Sequence, residues 1–255
     1  MPLELVTVPC LGDNYAFLVH NADSGETALI DIPEADPILS ELDSRGWTLS
    51  EILITHHHFD HIDGLDAVQK RHNATVIGAS ADAGRLPPLD LAVAEGDTIT
   101  VCGEEATVID VSGHTVGHIA FHFPTSGYVF TADSLMALGC GRVFEGTMPM
   151  MWDSLQKLAT LPPETTVCSG HEYTASNAKF ALSVEPDNQA LISRAEYIAK
   201  ARAAGQPTVP TTLSEELATN PFLRAGEPAL KAAIGMEGAT DAEVFAEVRT
   251  RKDNF

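Results

Sequence analysis

Residues 55–64 read THHHFDHIDG and follow directly on the apolar run EILI. Four histidines and an aspartate fall within six positions, 56–61. Imidazoles crowded in this way repel when protonated and lose hydration when buried, so a fold that keeps them together must give them a common partner. In extended backbone alternate residues point to one side, which lets His56 and His58 reach one cation. Asp60 and His61 lie a turn further on and can reach a second. Neutral imidazole and carboxylate are the usual donors for zinc, manganese or iron. The plain alternative is a polar loop, or a helix start capped by Asp60. HxHxDH spacing straight after an apolar strand favours metal.

The arrangement recurs. ATVIDVSGH ends an apolar run at His114, GYVFTAD ends one at Asp133, and TTVCSGH ends one at His171. Open sheets bind their ligands in the crevice outside strand ends. Four such ends could bring seven donors together: His56, His58, Asp60, His61, His114, Asp133 and His171. A closed structural zinc needs only four, so the expectation is a binuclear site with room for water. His57, lying between ligand candidates, should point away from the metal. His118 and His122 alternate along HIAFHF and are expected at a core edge or on the surface. His20 and His72 have no partner motif.

Short apolar runs broken by GDN and DSGE predict strands over 3–8, 16–20 and 27–31. A helix over 35–45, a strand over 51–55 and a helix from Gly64 to His72 follow. Further strands are expected over 74–78, 98–102, 105–111, 118–123, 127–132 and 165–168, with a helix over 151–160. After about residue 174 the character changes. Residues 187–204 are Ala-rich and helical, closing on Gly205. TLSE (212–215) and TDAE (240–243) both carry the Thr-x-x-Glu spacing of a capping box. The chain therefore reads as an α/β domain over 1–174 and a helical domain over 175–255.

A net charge of −21 makes nucleic acid or an anionic membrane a poor partner, because phosphate binding needs clustered Lys and Arg. No apolar stretch approaches the ~18 residues of a membrane span. The start, MPLELVTVPCLGDNY, predicts no secretory signal. Four scattered cysteines without a CxxC pair fit a reducing cytoplasm. Of the fifteen basic residues, three lie in the last seven positions, on a helix expected to start near Asp241. Arg249 and Lys252 are three apart and share a face. Cations there also meet the helix dipole, a gain of about 0.3–1 kcal/mol each that requires no ligand.

HxHxDH followed by isolated His, Asp and His at strand ends resembles the metallo-β-lactamase superfamily. DNYAFLV (13–19), GHTVGHIAFH (113–122), GCGRVFEG (139–146), GHEYTASNAKFALSVEP (170–186), NPFLR (220–224) and RTRKDNF (249–255) are similar to one branch, the glyoxalase II enzymes or hydroxyacylglutathione hydrolases. The resemblance runs essentially end to end. It implies an αβ/βα sandwich with a C-terminal helical domain supplying part of the substrate pocket. It also implies two divalent ions, zinc first, with iron or manganese suited by the same donors. His56, His58 and His114 would hold one ion, Asp60, His61 and His171 the other, and Asp133 would bridge. Asp60 and Asp133 would orient metal and water, with hydroxide as the nucleophile.

The implied substrate is S-(2-hydroxyacyl)glutathione, contacted by Arg142, Phe144, Tyr173, Arg249 and Lys252. The products are glutathione and a 2-hydroxy acid such as D-lactate, the second step of methylglyoxal detoxification. A cytoplasmic monomer is expected. Two positions depart from the family pattern: Ala132 precedes Asp133 where glycine is usual, and Phe144 stands where some members carry tyrosine. A glutathione persulfide dioxygenase with one iron and a non-catalytic metal-stabilised module are the competing readings.

Overall fold

The apolar runs of the first 132 residues form two sheets. β1 (Glu4–Cys10), β2 (Asn14–His20) and β3 (Glu26–Ile30) are antiparallel neighbours. β2 lies between the other two and is buried along its whole length, so its centre, 16–19, reads as continuous apolar sequence without alternation. From β3 the sheet turns parallel. α1 (Ala35–Arg45) leads to β4 (Thr48–Leu53); α2 (Phe59–Ile62) and α3 (Leu65–His72) lead to β5 (Thr75–Ala79), with β6 (Leu91–Val93) beyond it. Parallel neighbours need such crossovers, and each must stop cleanly. α1 stops at Gly46 and α3 at Asn73, both in the left-handed conformation that these residue types tolerate.

β7 (Thr98–Val101), β8 (Glu104–Asp110), β9 (Ile119–Phe123) and β10 (Tyr128–Ala132) run antiparallel. The rings of Phe17 and Phe130, 5.6 Å apart, join the two sheets of this part in one core. The computed structural model describes residues 1–255, and the chain packs as two compact units. The first holds Met1–Val111 and Val116–Ala132; the second holds Ser112–Thr115 and Asp133–Phe255.

The second unit opens with the hairpin of β11 (Leu135–Met136) and β12 (Gly139–Cys140). α4 (Met148–Ala159) follows, then β13 (Thr166–Ser169), α5 (Thr174–Val184), α6 (Gln189–Ala203), β14 (Thr211–Thr212), α7 (Leu213–Thr219), α8 (Pro228–Ile234) and α9 (Asp241–Asp253). β13 and β14 pair antiparallel. Both Thr-x-x-Glu sites form capping boxes, opening α7 and α9. Leu138, Ala178, Ala181, Leu191 and Ile198 build a core to which α5 and α6 contribute.

Several elements differ from the sequence expectation. β4 ends at Leu53 rather than at residue 55, which frees the histidine segment from the ladder. α4 begins three residues early because Thr147 Oγ1 accepts from Met150 N. α5 was not expected over 174–184, although Phe180, Ala181 and Val184 bury on it. No helix is long and apolar enough to cross a membrane.

Candidate metal centre

β3 and β4 are parallel, so both chains leave the sheet at the same edge. Asp31 follows β3 and is buried, with φ 58°. Its Oδ1 accepts from Thr55 N at 2.9 Å, and its Oδ2 accepts from the Thr55 hydroxyl and from His61 Nδ1, both at 2.8 Å. A carboxylate only accepts, so His61 carries its proton on Nδ1 and a lone pair on Nε2. Thr55 has given its single proton to Asp31. Its oxygen, 3.0 Å from His56 Nδ1, therefore accepts, and His56 Nε2 is bare as well.

That nitrogen lies 3.2 Å from His58 Nδ1. Asn14 donates to both the carbonyl and Oδ2 of Asp60 at 3.1 Å, which turns Asp60 Oδ2 to within 4.0 Å of His61 Nε2. The tight turn after α2 needs Gly64: a Cβ there would meet Ile32 Cγ2 at 2.7 Å. His57 donates through Nδ1 to Asp82 at 2.8 Å. His118 departs from expectation. It precedes β9, is fully buried, and stacks on His56 with centroids 4.5 Å apart. His122 does sit part-buried on β9.

In the second unit His114, Asp133 and His171 come together, all buried. His114 Nδ1 donates to the Arg142 carbonyl at 2.7 Å, so its Nε2 carries a lone pair. That nitrogen faces Asp133 Oδ2 at 3.4 Å, and the other carboxylate oxygen lies 3.3 Å from His171 Nε2. A bare imidazole nitrogen and a carboxylate oxygen are both acceptors. Facing each other out of water, they are reconciled by positive charge, either a proton on the ring or a cation between them. One oxygen turned to each histidine is what a bridging carboxylate requires. The N and O donors fit divalent transition ions. Thiolate is not on offer, since all four cysteines are buried and burial pushes Cys10 up to about 12 and Cys140 to about 11.

The departure at Ala132 has a structural counterpart: its φ is 40°, the left-handed region that disfavours alanine. Gly141 is required for another reason, since a Cβ there would stand 2.0 Å from the Asp133 carbonyl oxygen.

The residues expected to meet glutathione have unequal access. Arg142 is 62% exposed, with Nε 3.7 Å from Asp253. Phe144 is exposed and lies 5.2 Å from the His114 ring; Tyr173 stacks on His171 at 4.6 Å. Lys252 Nζ sits over Phe180 and Phe255, and burial followed by Arg249 and Arg142 lowers its pKa. Arg249 is only 3% exposed. Its Nη1 donates to the Cys140 carbonyl at 2.8 Å and its Nη2 to Asp253 at 2.9 Å, so inside the fold it ties backbone to helix.

The sequence reading passed over Asp31 and gave His118 the wrong setting. Asp31 had a signal: TALID ends an apolar run in an acid, as GYVFTAD does. His118 had none, because its partner His56 is 62 positions away in the chain.

Residues 12–171 match the metallo-beta-lactamase superfamily, and residues 172–255 match the family described as hydroxyacylglutathione hydrolase C-terminus. A hydroxyacylglutathione hydrolase of Ruegeria pomeroyi is 66% identical over 255 residues, the whole of both chains. Among solved structures, ETHE1 from Myxococcus xanthus is 25% identical with a TM-score of 0.67, covering 98% of this chain and 90% of its own. The BLEG-1 B3 metallo-beta-lactamase, at 22% identity, has a TM-score of 0.66 over 86% of this chain and 99% of its own and speaks for the fold alone. On full-length identity to its relatives and on both family matches, the chain belongs to the hydroxyacylglutathione hydrolase family within the metallo-β-lactamase superfamily.

Proposed function

We propose that the chain is a metal-dependent thioester hydrolase that cleaves S-(2-hydroxyacyl)glutathione, S-D-lactoylglutathione above all, to glutathione and a 2-hydroxy acid. The observation that carries this reading is Asp133, with one oxygen on His114 and the other on His171. In this reading His56, His58 and His114 would hold one ion, and Asp60, His61 and His171 the other. Three protein donors and a shared carboxylate per ion leave a position for water, unlike a closed structural site. Zinc suits the set, and iron or manganese would be accepted by the same donors.

When bound, such ions would lower the pKa of a coordinated water towards ~7 and polarise the thioester carbonyl. The chain's own residues hold and orient. Asp31 fixes the His61 tautomer directly, and through the Thr55 hydroxyl it fixes that of His56; the Arg142 carbonyl fixes that of His114. Asp60 is held by Asn14. None of the carboxylates acts as nucleophile. The departing thiolate has a free pKa near ~8.5, so no dedicated proton donor is needed. Arg142 and Lys252 present cationic head groups to the substrate carboxylates, Arg249 adds its charge from beneath, and Tyr173 and Phe144 offer ring faces beside His171 and His114.

We place the catalytic part at 1–174 and the substrate-binding part at 175–255, a division supported by the C-terminal family match over 172–255. A cytoplasmic monomer is consistent with four unpaired cysteines and with all seven donors coming from one chain. The net charge of −21 argues against nucleic acid as a partner. Full-length identity to curated hydroxyacylglutathione hydrolases favours this reading over a persulfide dioxygenase or a non-catalytic module. The test is turnover of S-D-lactoylglutathione by protein of measured metal content. Hydrolysis that is lost with chelator and restored by divalent ion is expected. A folded, fully metal-loaded protein that leaves the thioester intact would overturn the reading.

A further inference from the structure

Each residue from Met136 to Cys140 gives a backbone polar group to a buried side chain from further along the chain. Asn220 Nδ2 donates to the carbonyls of Met136 and Gly139 at 3.1 and 3.0 Å, and Asn177 Nδ2 donates to that of Ala137 at 3.0 Å. Glu216 accepts from Leu138 N at 2.8 Å, and Arg249 donates to the Cys140 carbonyl at 2.8 Å. Glu216 is itself fully buried, paired with Arg194, and holds the Asn220 amide at 3.0 Å. Asn220 Oδ1 accepts from Phe222 N, which fixes which way the amide faces.

A hairpin of two-residue strands is marginal by itself, and this one contains Leu138 at φ 54°. It therefore keeps its shape by these bonds. Its two ends matter for chemistry. One end leads from Asp133; the other leads to Gly141, packed on the Asp133 peptide, and to the Arg142 carbonyl that sets the His114 tautomer. Gly139 is demanded by the clamp, since a Cβ there would meet Asn177 Nδ2 at 2.5 Å.

We propose that Glu216, Asn220, Asn177 and Arg249 form a clamp of positioning residues that holds the 136–140 hairpin and thereby sets the relative geometry of Asp133 and His114. This rests on the binuclear reading above. It assigns a task to NPFLR and to the first arginine of RTRKD that is distinct from holding substrate.

The clamp predicts a particular pattern in Asn177→Ala and Asn220→Ala. In the intact chain, kcat per bound metal falls tenfold or more, KM changes less than threefold, and metal is lost to chelator at least tenfold faster. Asn220→Gln, which keeps the amide, should recover part of the loss. Leu230→Ala, a cavity elsewhere in the same unit, serves as control: it should lower Tm while kcat and chelator resistance stay at the parent value. Should Asn220→Ala fail to fold, Asn177→Ala, which removes one bond, decides the matter.

Parent-like kcat and chelator resistance in a folded clamp variant would overturn the proposal, as would a rise confined to KM. The parent protein is run alongside. If it binds fewer than two ions or leaves the thioester intact, the functional reading fails instead.

Discussion

Ala132, which precedes Asp133, has φ 40°, a conformation costing an alanine about 1–2 kcal/mol. Part of that returns as the lower chain entropy of alanine in the unfolded state. Ala132→Gly should therefore raise Tm by roughly 1–3 °C in thermal unfolding, with metal content unchanged; a fall in Tm would show that the strain is absent. In the proposed reading Lys252 binds the substrate. A charge-assisted contact adds ~1.5–3 kcal/mol, less at a half-exposed site. Lys252→Ala should raise KM about fivefold to tenfold and lower kcat by less than twofold, and an unmoved KM would remove this residue from the pocket. Its pKa is lowered first by burial, then by Arg249 and Arg142. The binding contribution is thus complete at neutral pH and is lost, as pH rises, before an ordinary lysine would deprotonate. KM should climb in that alkaline window, and Lys252→Arg should flatten the climb. At this scale the candidate donors stood out in the sequence because they cluster at or shortly after the ends of apolar runs. Glu216 and Asn220 did not, since their partners at 136–139 lie some eighty positions away and leave no local pattern.

Among the elements, α1 was readable to the residue, Ala35–Arg45, because an amphipathic stripe ends on Gly46. The box opening α9 was readable because Thr240 and Glu243 satisfy each other's backbone. Thr240→Ala should lower Tm by about 2–4 °C. Bonds from the Thr240 backbone and hydroxyl lower the Glu243 pKa. The box is thus at full strength above the ordinary carboxylate range and is lost as pH falls through the lowered value. The gap in Tm between variant and parent should narrow in acid without vanishing, since Thr240 Oγ1 still accepts from Glu243 N in the parent; a gap unchanged by acid would mean the Glu243 carboxylate is not part of what the substitution breaks. The misses share a cause. TASNAKFALSV becomes α5 because its small residues pack closely, a tertiary fact with little periodicity of its own. β11, β12 and β14 have two residues each and cannot express a period at all.

For the whole molecule, the seven donors spread over 116 positions of sequence, from His56 to His171, made the case for convergence before any geometry was known. What the letters could not supply was the orientation of each ring, which depends on Asp31, Thr55 and the Arg142 carbonyl. The charge of −21 would oppose a substrate carrying about −1 at neutral pH, and in the proposed reading the cations at Arg142, Arg249 and Lys252 offset that field locally. The proposed function requires Asp133 to serve two ions at once. Stepwise titration of metal-free protein with cobalt or zinc, followed by bound metal per chain and by thioester hydrolysis, tests this most directly. Uptake should stop at two ions per chain with the rate rising through the second equivalent, and Asp133→Ala should lose both features. Saturation at one ion with the full rate already reached would contradict it.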